Sequence, residues 1–225
     1  MSPQQINEQI ASPKQIEKIE SVIKTISASC IEIVSHPELY RTLNKHFKDQ
    51  SDKQRENRRT GLITTRSNDK NKEFKIENQH LTGQSETKNS TGTVDFAVFS
   101  NDERITIGEA VNFSGQNTKS VGMNIIKHLK KLTQNYNYST HSDLIFLVYY
   151  EGVTDKFHSS YDNYLKHFVR STGLVIYPAK TINNITKNFV KNSTSIKLAK
   201  SLHSYSGNDA NEFSIYHFYI DFSEK

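Results

Sequence analysis

The sequence predicts an α/β protein in which a mixed central sheet is flanked by helices, with a helical extension at the N-terminus. Three observations carry this expectation. Helical periodicity dominates the first third of the chain, a meander of three strand-like segments follows, and helices then alternate with apolar strands. Runs of strands interleaved with helices in this order pack as helices on a sheet. The expected division is an N-terminal helical segment, residues 1–50, packing on a main domain of residues 51–225.

The elements follow in order. Ser12, Pro13 and Gln15 form a helix start signal, with an N-cap, a proline at the first helical position and a capping-box partner. Ile16, Ile19, Ile23, Ile26, Cys30 and Ile33 then recur at alternating three and four spacing. This stripe suits packing on the chain's own core, with dimerisation as the alternative. Residues 36–66 read as a second, polar helix with Leu39, Leu43 and Phe47 on one side, and "SNDKNK" as a loop. "EFKIENQHL" alternates as a strand, "TGQSETKNSTG" is a long polar turn, and "TVDFAVF" and "RITIGEAVNF" flank the turn "SNDE" as a hairpin. A helix over 117–137 precedes "DLIFLVYYEG", so continuously apolar that both its faces must be covered. Another helix is expected over 157–172, a strand at "GLVIYP", and a basic helical region over 183–206. "EFSIYHFYIDF" alternates and is expected to close the sheet.

Composition bounds the partners. The 225 residues include 34% apolar and 10% aromatic side chains, enough for a core. The single cysteine, Cys30, excludes an intramolecular disulfide framework and a Cys-rich zinc site. No stretch approaches eighteen apolar residues and the first residues lack a signal-peptide apolar region, so a cytoplasmic protein with no membrane partner is expected. The net charge of +5 is unevenly spread: residues 117–200 hold 12 Lys/Arg against 4 Asp/Glu. That excess suits a polyanion or, equally, a solvated lysine-rich surface.

The hairpin poses the chemical question. Each of its strands carries one acid, Asp95 or Glu109, among apolar neighbours. Alternation places Asp95 with Thr93 and Ala97, opposite Val94, Phe96 and Val98, and places Glu109 with Ile105, Ile107 and Val111. Pairing around the short turn lets the acids meet on one face. Two ionised carboxylates side by side repel and are costly to desolvate. A divalent cation removes the conflict; hydrogen bonds from the polar turn and a lysine partner are the structural alternative.

Gly92-x-x-Asp95 in one strand, Glu109 in the next and a basic amphipathic helix after it resemble the PD-(D/E)xK nuclease superfamily. The resemblance spans roughly Gln54 to the C-terminus. It implies a restriction-endonuclease-like core in which Asp95, Glu109 and the backbone carbonyl of Ala110 hold Mg²⁺, with Mn²⁺ as a substitute, for phosphodiester cleavage. The superfamily's lysine stands two residues after the Glu, where this chain has Val111. Either the site is inactive or the lysine comes from elsewhere. "EAVNF…HLKKLTQNYN" resembles a branch in which "EAL" precedes a helix bearing His-x-x-Lys-Leu and Asn-Tyr-Asn; its G-x-S pattern departs here to Gly83-Gln84-Ser85.

On that helix Val121, Ile125, Leu129, Leu132 and Tyr136 form the apolar stripe, and Asn124, His128, Lys131 and Asn135 line one flank. Lys127 and Lys130 point further away. A flank position can reach the sheet, which makes Lys131 the candidate for the migrated lysine and His128 a candidate accessory group, against the bland reading of a structural histidine. The resemblance also implies an acid from an early helix, for which Glu56 in "RENRR" is preferred to Glu77. Nucleic acid, with DNA favoured, would be held through phosphate contacts of Arg58, Arg59, Lys119, Lys127 and Lys130. The expected function is a metal-dependent nuclease in antiviral defence against foreign DNA, with a homo-oligomer or an activating protein as further partners. The alternative is an inactive nuclease-fold protein that binds nucleic acid or a protein.

Overall fold

The computed structural model describes residues 13–36, 51–84, 91–115, 119–135, 142–169, 179–204 and 212–223. The predicted strand "GLVIYP", the Ser12 cap, and Leu39, Leu43 and Phe47 lie outside them. Helix α1 (Pro13–Ser35) begins at the predicted proline and buries Ile19, Val22, Ile23, Ile26, Cys30 and Ile33, while Ile16 remains exposed. Helix α2 (Asp52–Lys70) starts later and ends later than predicted. Its boundary is set by a capping box: Ser51 Oγ accepts from the Gln54 amide and the Gln54 side chain accepts from the Ser51 amide. Ser67 to Lys70, predicted as loop, continue the helix, because Ser67 Oγ bonds back to the Ile63 carbonyl and across to Ser29 of α1. The buried stripe of α2 is therefore largely polar, and its hydroxyls are partnered: Thr60 by Tyr149 and Thr64 by Asn78.

Seven strands form one mixed sheet in the order β1-β2-β3-β4-β7-β6-β5. β1 (Lys75–Gln84), β2 (Thr91–Ser100) and β3 (Glu103–Phe113) are the antiparallel meander. Asn101 and Asp102 both have positive φ, the backbone that a two-residue hairpin turn demands. Gly108 in β3 lies under the Phe96 ring, which stands 2.0 Å from where a Cβ would be, so no side chain fits there. Helix α3 (Lys119–Lys130), extended by one π-helical turn at Lys131–Asn135, crosses over to β4 (Asp143–Tyr150), parallel to β3. As the apolar run required, Leu144 to Tyr150 are all buried. Helix α4 (Phe157–Tyr164) also ends in a π turn, Leu165–Val169.

Two expectations are corrected in the last third. The described part of the expected helical region 183–206, residues 183–204, is not helical throughout: β5 (Thr181–Asn184), a single turn α5 (Thr186–Phe189) and β6 (Ile196–Ser204) occupy it. Lys187 and Lys191, four apart, and Lys197 and Lys200, three apart, imitate a polar helical face. Lys197 and Lys200 instead stand on a strand beside Tyr219 and Tyr216, and the Lys200 ammonium lies 4.9 Å from the Tyr216 ring centroid. The pull is the neighbouring strand, whose apolar edge and unpaired amides need a partner. That neighbour is β7 (Glu212–Asp221), which does not close the sheet but lies inside it, parallel to β4 and antiparallel to β6. Every residue from Phe213 to Asp221 is buried, including Ser214 and His217.

The core has two halves, one on each sheet face. α1 and Ile63 of α2 cover Phe96, Val98, Ala110, Ile145, Leu147, Phe218 and Ile220. Ile125, Leu129 and Leu132 of the α3 segment, with Phe157, Tyr161 and Tyr164 of α4, cover Val111, Phe113, Val148, Tyr150 and Tyr219. The isoleucine stripe of α1 is thus spent on this chain's own sheet. Among the described residues no helix is long and apolar enough to cross a membrane.

Candidate metal centre

The site forms where the sheet opens. β2 and β3 pair from Ser100↔Glu103 to Phe96↔Gly108, and at the next step the Asp95 carboxylate intervenes: its Oδ2 accepts the Ala110 amide at 2.8 Å. The face alternation of β2 slips at the same point. Val94 and Ala97 join the α3-side core, whereas Phe96 and Val98 join the α1-side core. Val94 therefore does not share the Phe96 face, as strict alternation predicted. Ile105 likewise packs on the α1 side, away from Ile107 and Val111, because the β2–β3 register shifts between Val98 and Phe99. Opposite Asp95, Gln79 of β1 has a φ of 51° and donates to Asp95 Oδ1 at 3.3 Å. An unbranched residue in the left-handed region is uncommon, and here that backbone accompanies an amide aimed at the acid.

This opening lets helices from both sheet faces reach one point. α2 delivers Glu56 and α3 delivers His128, and one ligand atom each from Glu56, Asp95 and His128 lie within 4.8 Å of one another. All three residues are buried, and together they could hold a metal ion. Glu109 is buried beside them, its Oε2 3.0 Å from His128 Nδ1. Beside the metal set anticipated from the sequence, Asp95, Glu109 and Ala110, the structure brings together a second group. Asp95 stays; Glu56 and His128 converge with it; Glu109 engages the imidazole; and Ala110 meets Asp95 through its N–H. The Glu109 contact engages Nδ1, so an ion held by His128 would take Nε2, as in the carboxylate–histidine–metal arrangement that orients a ligating imidazole.

Electrostatics express the crowding of acids. Burial, then the Asp95 charge, raises the Glu109 carboxyl well above the usual carboxylate range, and the same two causes raise Glu56. Burial also lowers the His128 imidazole, holding it neutral as a ligand must be. One cation stands inside the cluster. Lys53, one helical turn before Glu56, donates to Glu56 Oε1 at 2.8 Å and to Asp95 Oδ1 at 3.2 Å. Burial works against its ammonium, but the charges and hydrogen bonds of Asp95 and Glu56 prevail and raise its pKa.

The remaining candidates distribute as follows. Lys131 is half-buried in the π turn and acts on Glu109 through its charge, and Lys53 is bonded to Glu56 and Asp95. Glu77 turns away from the site to Lys75 and His80. Arg59 is 5% exposed, bonded to Asn112 and Glu151 and stacked 4.7 Å from the Phe222 ring centroid, so it belongs to the core rather than to a phosphate-binding surface. Arg58 and Lys127 are exposed and Lys130 is half-buried; of Lys119 the description covers the helix start only. Ile125, Leu129 and Leu132 are buried as predicted, while the side chains of Val121 and Asn135, and all of Tyr136, lie outside the described residues. Sequence reasoning missed Lys53 and Gln79. The i,i+3 spacing of Lys53 and Glu56 was a usable signal. Nothing local announced the backbone of Gln79.

Fold and site together define an α/β/α protein with a seven-stranded mixed sheet and a buried carboxylate–imidazole cluster of metal-binding composition. Comparison with family models, curated proteins and solved structures gives no match.

Proposed function

We propose that the chain is a metal-dependent nuclease with a restriction-endonuclease-like core, hydrolysing phosphodiester bonds in nucleic acid, DNA above RNA. The observation that carries this reading is the convergence of Glu56, Asp95 and His128 at the opening between β2 and β3, with Glu109 behind the imidazole. Two carboxylates suit Mg²⁺ and a neutral imidazole suits transition metals, so the donor set fits Mn²⁺ at least as well as Mg²⁺. A divalent ion there would supply Lewis acidity to a phosphoryl oxygen and a lowered pKa to an attacking water. Glu56 and Asp95 would fix the ion's place, Glu109 would orient the imidazole, and Lys53 and Lys131 would offer positive charge to the phosphate. Val111 does not take the superfamily lysine's part, because its side chain is buried in the α3-side core. A role in defence against foreign DNA rests on resemblance to the superfamily.

A second reading, a nuclease-fold protein that binds nucleic acid or a protein without cleaving, draws on the same Lys53 contacts, which partner two of the acids without any metal. Incubation of the purified protein with plasmid, linear DNA and RNA in Mg²⁺, Mn²⁺ or EDTA separates the two. The nuclease reading expects cleavage with metal, none with EDTA and none with Asp95→Asn. Salt-sensitive binding without cleavage in any metal selects the second reading.

A further inference from the structure

We propose that Lys53 is a tethered counter-ion that occupies the metal position in the metal-free protein and is displaced when a divalent cation binds. The inference rests on reading Glu56, Asp95 and His128 as a metal site. It begins from placement: the ammonium lies 2.8 Å from Glu56 Oε1 and 3.2 Å from Asp95 Oδ1, bridging two of the three groups that converge as ligands. An ion bound by both carboxylates would sit roughly 2.1 Å from each oxygen, in the same gap. The two cations cannot share it at such separations.

The two sides of the contact differ in freedom. The side chains of Glu56 and Asp95 are 6% and 4% exposed, whereas that of Lys53 is 54% exposed. Asp95 is further fixed by the Ala110 amide and Gln79. Lys53 lies in the first turn of α2 on a four-carbon stem with solvent on one side. The acids are a rigid socket and the lysine is the movable occupant. A small ion can therefore enter without rearrangement of the sheet, by exchanging one ammonium for a divalent charge.

Displacement has a functional consequence. The released ammonium remains leashed to the rim of the site, on the solvent side from which a polyanion must approach. Metal and polyanion then assist one another. The ion frees Lys53 for a phosphate, and a phosphate that holds Lys53 keeps it from competing with the ion. By linkage each raises the affinity of the other by the same factor.

The test is Mn²⁺ titration of metal-free protein, followed by the electron paramagnetic resonance of free Mn²⁺, for wild type, Lys53→Met, Lys53→Gln and Asp95→Asn. Lys53→Gln keeps a hydrogen-bond donor, and so guards against misfolding of the Met variant. Both lysine variants are expected to bind Mn²⁺ about tenfold tighter than wild type, since a competing charge has been removed. Equal or weaker binding by both variants, with binding lost in Asp95→Asn, overturns the displacement while leaving the metal centre in place. Binding by none of the four proteins overturns the metal centre itself and the displacement with it.

Discussion

On the proposed metal site, replacing Glu109 with Gln distinguishes a residue that would touch the ion from one that would hold a metal ligand. Glu109 Oε2 is 3.0 Å from His128 Nδ1, so its contribution passes through the imidazole. Loss of such an outer partner weakens metal affinity by about 10–100-fold. At a metal concentration about 100 times the wild-type Kd, binding to the native state stabilises the protein by about 2.7 kcal/mol. For a chain of this length that is a rise in Tm of about 5–11 °C. At the same concentration Glu109→Gln keeps only about 0.4–1.4 kcal/mol of the stabilisation, and more metal restores the rest. Asp95→Asn and Glu56→Gln show no metal-dependent rise at any concentration. Metal-free Glu109→Gln melts above wild type, because the neutral amide escapes the burial and the Asp95 repulsion that raise the carboxyl pKa. The assay is thermal melting by circular dichroism with and without metal. The reasoning is refuted if Glu109→Gln loses the metal response as completely as Asp95→Asn, or if His128→Asn keeps it in full.

Other parts of the molecule give separate expectations. His217 is fully buried between Tyr164 and Ser201, and burial, with His203 nearby, lowers its pKa from 6.5 to about 3. A depressed folded pKa gives stability that is present above 6.5 and lost as pH falls toward 3. Wild type should therefore lose about 2 kcal/mol more than His217→Gln between pH 7 and pH 5 in urea unfolding. Glu151→Ala leaves the buried Arg59 guanidinium without its carboxylate and should cost about 3 kcal/mol in the same assay. Ile23→Ala removes a fully buried side chain of α1 and should cost about 2–5 kcal/mol, with no change in sedimentation, since the stripe faces this chain's own sheet.

The sequence was most legible where one physical signal dominated. Continuous apolarity announced β4, and alternating three and four spacing announced the buried face of α1. Two acids in adjacent apolar strands located the site, because a buried carboxylate without a purpose is expensive. What stayed hidden depended on distant partners. β6 carries helix-like lysines and is a strand only because β7 lies beside it. The grouping of Glu56 and His128 with Asp95 accompanies a slip in the alternation of β2, where residues from opposite sheet faces meet one carboxylate. Strict period-two reasoning cannot foresee a slip, since a slip is the failure of that period.

The opening between β2 and β3 makes Asp95 answer two demands that the remaining acids do not share. Its Oδ2 accepts the Ala110 amide where strand pairing stops, and without that acceptor a buried N–H would be left unsatisfied. Its Oδ1 faces Lys53 and Gln79, on the side where Glu56 and His128 converge. The structural role and the proposed metal-binding role of Asp95 are thus not rivals, because the Ala110 amide takes Oδ2 and leaves Oδ1 for a cation. Asn at this position keeps an acceptor for Ala110 and discards the charge, whereas Ala discards both. Asp95→Asn should fold and fail to bind metal, and Asp95→Ala should lose stability as well, by about 1–3 kcal/mol beyond the Asn variant. Equal stability of the two variants would mean that the Ala110 amide finds its acceptor elsewhere, and that Asp95 is held in place through Oδ1, by Lys53 and Gln79.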